Sequence, residues 1–193
     1  MNIKLETLDL IRYDNEKHFN LKSEFLGNSN SKYVQKIGER LELSQNNDKT
    51  IYQSAFVVED FGLSIGYLYI SNMSNDEVFL ECSILKEFRQ KGYGSRILKE
   101  VSDYLFEKHN IKNIRLDIEP SNIRSIATAK SCGFDLDDEE YENRNYTGKM
   151  QFVKESECYK SKRQKWKSVY NNFVKEIEKK EEKIWKRFLL LQL

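Results

Sequence analysis

Residues 88–98 read FRQKGYGSRIL and set Gly92 and Gly94, two of only eight glycines in the chain, among Arg89, Lys91 and Arg96. Glycine lacks the Cβ that holds other groups off the backbone, so a ligand can lie close to the chain there. If the segment opens a helix, its first amides have no intrahelical acceptor, and the macrodipole favours a negative group beside them. A tight connection needs only one glycine. Two of them, with cations around, point to a phosphate. The pattern GxxxxGK[ST] is absent, which disfavours nucleoside triphosphate hydrolysis, and GxGxxG fails because Ile97 stands where the third glycine belongs. A second group of residues suited to chemistry is acidic: Glu81 inside the apolar run VFLECSIL, Asp117 inside IRLDI, and Glu119 just after it.

The elements around these residues follow from periodicity. Residues 3 to 12 alternate and predict a strand, and Asp14 caps a predicted helix running to about Leu26. The apolar positions of SKYVQKIGERLEL, at 33, 34, 37 and 41, have helical spacing. IYQSAFVVED and GLSIGYLYISN are β-rich runs joined by a turn at Asp60 to Gly62, and VFLECSIL is a third. From Gly92 the period changes, and Ile97, Leu98, Val101, Leu105 and Phe106 mark an amphipathic helix. IRLDI is a strand, Pro120-Ser121-Asn122 introduces a helix closing at Gly133, and FDLDDEEY and TGKMQFV are the last two predicted strands. The centre therefore reads β-β-β-α-β-α-β-β, a mixed α/β sheet with helices packed on it. The glycine pair falls at a strand-to-helix junction.

Composition narrows the classes. With 193 residues, 39% hydrophobic, 33% charged and a net charge of +1, the chain is one domain of ordinary size with an appendage, and no global field argues for nucleic acid or membrane. Cys82, Cys132 and Cys158 are odd in number and far apart, with no CxxC, so neither a disulfide framework nor a metal site is expected, and a reducing, cytoplasmic setting is. The two histidines, His18 and His109, have no ligand spacing. Neither Cys82 nor Cys132 has a histidine placed to activate it as a nucleophile.

What remains after an apolar strand is R-x-x-G-x-G. Here the sequence resembles the GNAT superfamily of acetyl-CoA-dependent N-acetyltransferases, whose pyrophosphate signature Q/R-x-x-G-x-G/A is matched by Arg89, Gly92 and Gly94. EPSNIRSIATAKSCGF resembles the second conserved region, with Asn122 opening a helix that closes at Gly133-Phe134. The resemblance covers residues from about 3 to 153 and is strongest between 78 and 134. It implies a central, mostly antiparallel twisted sheet flanked by helices, with the strand VFLECSIL splayed from IRLDI. It also implies acetyl-CoA in the gap, the amine approaching from the other side, and no metal. Residues Arg89, Gln90, Lys91, Gly92, Tyr93, Gly94 and Ser95 would cradle the pyrophosphate, Ile84 and its neighbours would bond the pantetheine arm, and Asn122 belongs to the cofactor-binding set.

Transfer to an amine needs a base, oxyanion donors and a proton for the departing thiolate. Glu81 and Asp117 are the candidate bases, whereas Glu119 reads as solvent-facing. Many relatives carry a tyrosine seven residues after the asparagine, where this chain has Ala129. Ser125 stands where N-terminal acetylating relatives have a serine, although a hydroxyl in a first turn also bonds locally. The acceptor is a small-molecule amine or a protein N-terminus. A catalytically degenerate CoA-binding regulator or scaffold is the alternative.

The acetyltransferase domain is expected over 1–153, with a helical extension over 154–193. In the extension Trp166, Tyr170, Phe173, Ile177, Ile184, Phe188 and Leu191 form an amphipathic stripe. Residues 160–187 hold eleven Lys or Arg against four Glu, and DLDDEEYE at 135–142 holds six acids. Packing of that helix, in a homodimer ahead of any nucleic-acid role, is the expectation.

Overall fold

Alternating β-branched and aromatic residues in the central sequence build one eight-stranded sheet, ordered β1-β2-β3-β4-β5-β6-β8-β7. The computed structural model describes residues 2–18, 50–137 and 150–157, with Leu21, 39–41, Ser44, Lys160, Ser161, Lys165, Ser168 and Lys175. Strands β1 (Ile3–Lys4), β2 (Asp9–Arg12), β3 (Ser54–Asp60), β4 (Leu63–Ser74) and β5 (Glu77–Ile84) form an antiparallel meander. Helix α1 (Tyr93–His109) crosses to β6 (Asn113–Ile118), and helix α2 (Ile123–Ser131) leads to β7 (Asp135–Leu136) and β8 (Met150–Glu155). Only β5 and β6 pair in parallel among the described strands, because α1 supplies the long crossover a parallel pair requires.

The single strand expected over residues 3 to 12 is instead a short hairpin. Leu5 N–H bonds to Leu8 O at 2.9 Å, and the amides of Thr7 and Leu8 donate to the Glu100 carboxylate on α1 at 2.9 and 3.2 Å. A buried partner 92 or 93 residues away thus bends a segment whose local pattern is extended. Asp14 Oδ1 accepts the amides of Glu16 and Lys17 at 2.9 Å each, and the residues that follow, 15–18, form a turn. Of the two helices expected in the N-terminal third, residues 15–18 are that turn, Leu21, 39–41 and Ser44 are helical, and the remainder lies outside the described residues.

Each face of the sheet has its own core. On one, Ile97, Leu98, Val101 and Leu105 of α1 and Ala129 of α2 pack against Phe56, Leu68, Ile70, Val78, Leu80, Ile114 and Leu116. Burying each large aliphatic side chain there contributes roughly 1.5–3 kcal/mol. On the other face a smaller cluster joins Tyr13, Leu41, Ala55, Val57, Tyr67, Tyr69 and Leu85. The chain divides into the units Met1–Glu155 and Ser156–Leu193. In the second unit Lys160, Ser161, Lys165, Ser168 and Lys175 are helical and exposed, and the apolar stripe expected there lies outside the described residues. Among the described residues no helix is long and apolar enough to cross a membrane.

Candidate active site

The parallel ladder between β5 and β6 is short. It joins Glu77 to Asn113, Val78 to Ile114 and Phe79 to Arg115, then stops, although β5 continues to Ile84 and β6 to Ile118. Ion pairs pin the closed end: Lys112 Nζ lies 2.6 Å from Asp76, and the Arg115 guanidinium holds both Glu77 and Asp137. Beyond Phe79 the strands part, leaving an opening at their carboxyl ends, where α/β sheets tend to bind ligands. Gly66 shapes the β4 side of this end. A Cβ there would meet Ser83 O at 2.5 Å, so only glycine lets β4 and the end of β5 approach so closely.

One side of the opening is backbone. Chain leaving β5 passes through a single turn (Lys86–Phe88) and enters α1 at Gly92, whose φ of 83° suits glycine. Among the described residues the amides of 90–95 donate no hydrogen bond, and the first amide of the segment with a partner is Arg96 N–H, to Gly92 O at 3.1 Å. A Cβ on Gly94 would make only an ordinary contact, 3.5 Å to Thr128 Cγ2, so packing inside the protein does not demand glycine there. A ligand lying on the backbone would. A hollow of about 520 Å³ starts at Gly92 and Ser95 and runs past Lys99, Ser131, Cys132 and Lys154.

The three cations around the glycines part company. Lys91 is exposed, with its ammonium 5.5 Å from the Phe88 ring. Arg89 is exposed too, and its Nε donates to Ile84 O at 2.9 Å, stapling the loop to the end of β5. Arg96 is not a free anion ligand. Its guanidinium donates to Asp60 at 2.8 and 3.1 Å and to Thr7 Oγ1 and O at 2.7 and 3.1 Å. Tyr93 uses its side chain the same way, donating to Asp60 Oδ2 at 3.0 Å. These bonds, Arg96 first, hold the Asp60 carboxyl below its usual range, and accepting none in return the Tyr93 hydroxyl is raised by Asp60.

The other side of the opening is built from side chains. Val78 and Leu80 of β5 face the helix-side core, so Phe79, Glu81 and Ser83 face the opposite way, as do Arg115 and Asp117 of β6. Glu81 and Asp117 thereby share a face and flank the opening, at equal steps past the last ladder pair, Phe79 and Arg115. Glu81 is half-buried and forms an ion pair with Arg40, from the helical residues 39–41. The Arg40 guanidinium lies 4.9 Å from the Tyr69 ring centroid, and Tyr67 hydroxyl reaches Glu81 Oε1 at 3.4 Å. Tyr69 in turn donates to Gln53 Oε1 at 2.7 Å, and burial raises its phenol pKa above the ordinary value. Nothing in the sequence singled out Arg40, because the segment around it carries no motif. The alternating tyrosines of GYLYI were the one available signal for this wall.

Helix α2 opens at the end of β6. Asn122 caps it, its Oδ1 accepting Ser125 N–H at 3.2 Å, so the asparagine shapes the first turn that carries Ser125. Ala129 is fully buried in the helix-side core and brings no hydroxyl to the opening. Cys132 Sγ lies 3.5 Å from Ser95 O and joins the end of α2 to the first turn of α1. Cys82 packs into the same core, and burial pushes its thiol up to about 11, the opposite of what a nucleophile needs. Glu119 is exposed. Ser125 therefore sits on the helix side of the sheet and Glu81 on the other, with the parted strands between.

Known structures share this fold. An acetyltransferase from Agrobacterium tumefaciens superposes with a TM-score of 0.62 at 17% identity, over 81% of this chain and 95% of that one. The ribosomal alpha-N-protein acetyltransferase RimL, solved in complex with coenzyme A, gives 0.59 at 15% identity, over 79% and 98%. A chimera of the Vibrio cholerae spermidine N-acetyltransferase SpeG with hSSAT gives 0.60 at 18% identity, over 80% and 98%. At such identities the likeness is one of fold. No curated protein matches the sequence significantly. Residues 13–135, well over half the chain, match the sequence model of the acetyltransferase (GNAT) domain, and the chain belongs to the GNAT acetyltransferase family.

Proposed function

We propose that the protein transfers the acetyl group of acetyl-CoA to a primary amine, on a small molecule or a protein N-terminus, by direct attack of the amine. The observation that carries this reading is the end of the β5–β6 ladder at Phe79 and Arg115, which leaves unbonded amides on one side and a carboxylate on the other. Acetyl-CoA, the co-substrate, supplies the acetyl group as an activated thioester.

The residues present fit such a molecule. Amides of 90–95 lack acceptors among the described residues, Gly94 leaves the backbone bare, and Lys91 is exposed nearby. These would hold the pyrophosphate. The unpaired edge of β5 up to Ile84 offers backbone groups to the pantetheine arm, and Asn122 keeps the start of α2 in place beside it. Glu81 takes the proton from the nitrogen as it attacks, with Asp117 as the second carboxylate on that face. Ser125 is the proposed hydroxyl on the sulfur side. The complex of RimL with coenzyme A supports the ligand, and the neighbours named for protein and for spermidine acetylation frame both acceptor classes. We place the enzyme in the cytoplasm, on its scattered cysteines, and read the C-terminal extension as a dimerisation helix.

Thiol release from acetyl-CoA, measured against a panel of amines, tests the proposal. Turnover with at least one amine, lost in Glu81→Gln, is the expected result. Tight CoA binding with no turnover on any amine would replace it with a CoA-binding scaffold.

A further inference from the structure

Arg40 occupies a specific place. Its guanidinium sits on Glu81 and over the Tyr69 ring, and both partners of the ion pair are largely withdrawn from solvent, with side chains 16% and 15% exposed. The floor beneath is held firmly: Tyr69 is anchored to Gln53, and Tyr67 reaches the second Glu81 oxygen. Among the described residues, other ionisable groups near this face have partners of their own or lie across the opening. Arg115 is committed to Glu77 and Asp137, and Asp117 lies across the opening. The Tyr13 and His18 ring centroids lie 5.7 Å apart, with Glu59 near His18, and burial lowers the His18 pKa.

We propose that Arg40 is a positioning and specificity-determining residue, which holds Glu81 as a charge-compensated carboxylate so that the site takes α-amines and discriminates against polycationic alkylamines. The proposal rests on the acetyltransferase reading above. Arginine is charged at every working pH, so the pair is electrically neutral and draws no polycation toward itself. The guanidinium also occupies Oε2 of the carboxylate, which an alkylammonium would otherwise pair with. A carboxylate so paired resists protonation. It is too weak a base to strip an alkylammonium before attack, yet it readily takes the acidic proton of a nitrogen already bonded to the acyl carbon. The amine must therefore arrive largely neutral. At pH 7.5 an α-amine of pKa about 7.7–8.0 is neutral in about a quarter to two fifths of molecules, against about one in a thousand for a lysine-like amine near 10.4.

The test uses the full-length protein in two measurements. With glutamate labelled at the side-chain carboxyl, NMR titration follows Glu81, assigned by the signal missing in Glu81→Gln. Its midpoint should rise by about one unit or more in Arg40→Gln and return most of the way in Arg40→Lys. In the second, kcat/KM is compared for a short uncharged peptide with a free N-terminus and for spermidine. Wild type should favour the peptide at least tenfold, and Arg40→Gln should lose at least tenfold of that ratio while binding CoA as before. An unchanged Glu81 midpoint in Arg40→Gln overturns the proposal. So does a wild-type preference for spermidine, whatever the variants do. Absence of turnover on every amine would instead defeat the acetyltransferase reading, and the titration would still report whether Arg40 governs Glu81.

Discussion

The two sides of the β5–β6 opening are built in contrasting ways. The helix side is backbone: a stretch from Ile84 to Arg96 that turns, leaves the amides of 90–95 without acceptors among the described residues, and starts α1. The opposite side is side chains: Arg40, Gln53, Tyr67, Tyr69 and Glu81, drawn from the N-terminal third, the approach to β3, and β4 and β5. A backbone site tolerates many changes around it, provided the chain can still take the turn. A side-chain site depends on each group separately. One fold can thus keep its backbone side while the side-chain side is rebuilt, which accords with neighbours of similar fold that are named for acetylating a protein or spermidine.

The contrast is broken most sharply at Glu81. Glu81→Gln should lower kcat/KM by roughly 10² or more and leave CoA affinity nearly intact, since general-base help alone is removed. Steady-state kinetics with CoA calorimetry checks it, and the same loss in Asp117→Asn with full activity in Glu81→Gln would move the chemistry to β6. On the backbone side, Gly94→Val should weaken CoA at least tenfold, or ~1.4 kcal/mol. The fold should hold, because the new side chain starts at ordinary distance from Thr128. Gly92→Val should in addition cost stability, about 1–3 kcal/mol, because its backbone is left-handed. Unchanged CoA affinity in a folded Gly94→Val protein would remove the phosphate assignment.

Arg96 sharpens the comparison from within the glycine motif. Because its donors are spent on Asp60 and Thr7, Arg96→Met should destabilise the fold by about 1–3 kcal/mol while CoA binding stays close to wild type. The Asp60 pKa is lowered in the fold from 3.8, chiefly by that hydrogen bond, so its contribution is present above pH 3.8 and is lost as pH falls through the lower folded value. Denaturant curves should show a constant gap between variant and wild type from pH 7 to about pH 4, closing below that. The smallest effect on the site is expected from the tail. Truncation after Glu155 should leave CoA affinity unchanged and alter only the oligomeric state, and light scattering that finds the full-length chain monomeric would end the dimer reading.

Legibility followed the same divide. The order of central strands and helices, the turn at Gly92 and the cap at Asn122 depend on residues within a few positions of one another, and local rules reach that far. The hairpin at residues 3–12 did not announce itself, because Glu100 bends it from α1. Arg96 looked like a phosphate ligand, because its true partners, Asp60 and Thr7, lie 36 and 89 residues away.

By its own pattern the sequence determined the family, the mixed sheet and the glycine turn that opens α1, since backbone conformation and periodicity are short-range properties. Tertiary structure alone decided where the β5–β6 ladder ends, which face carries Glu81, that Ala129 is sealed in the core, and that Arg40 lies on Glu81. Those facts depend on strand register and on charges that find each other across long stretches of chain. Burial then makes the pairings matter, because a charge withdrawn from water must meet its partner inside the fold.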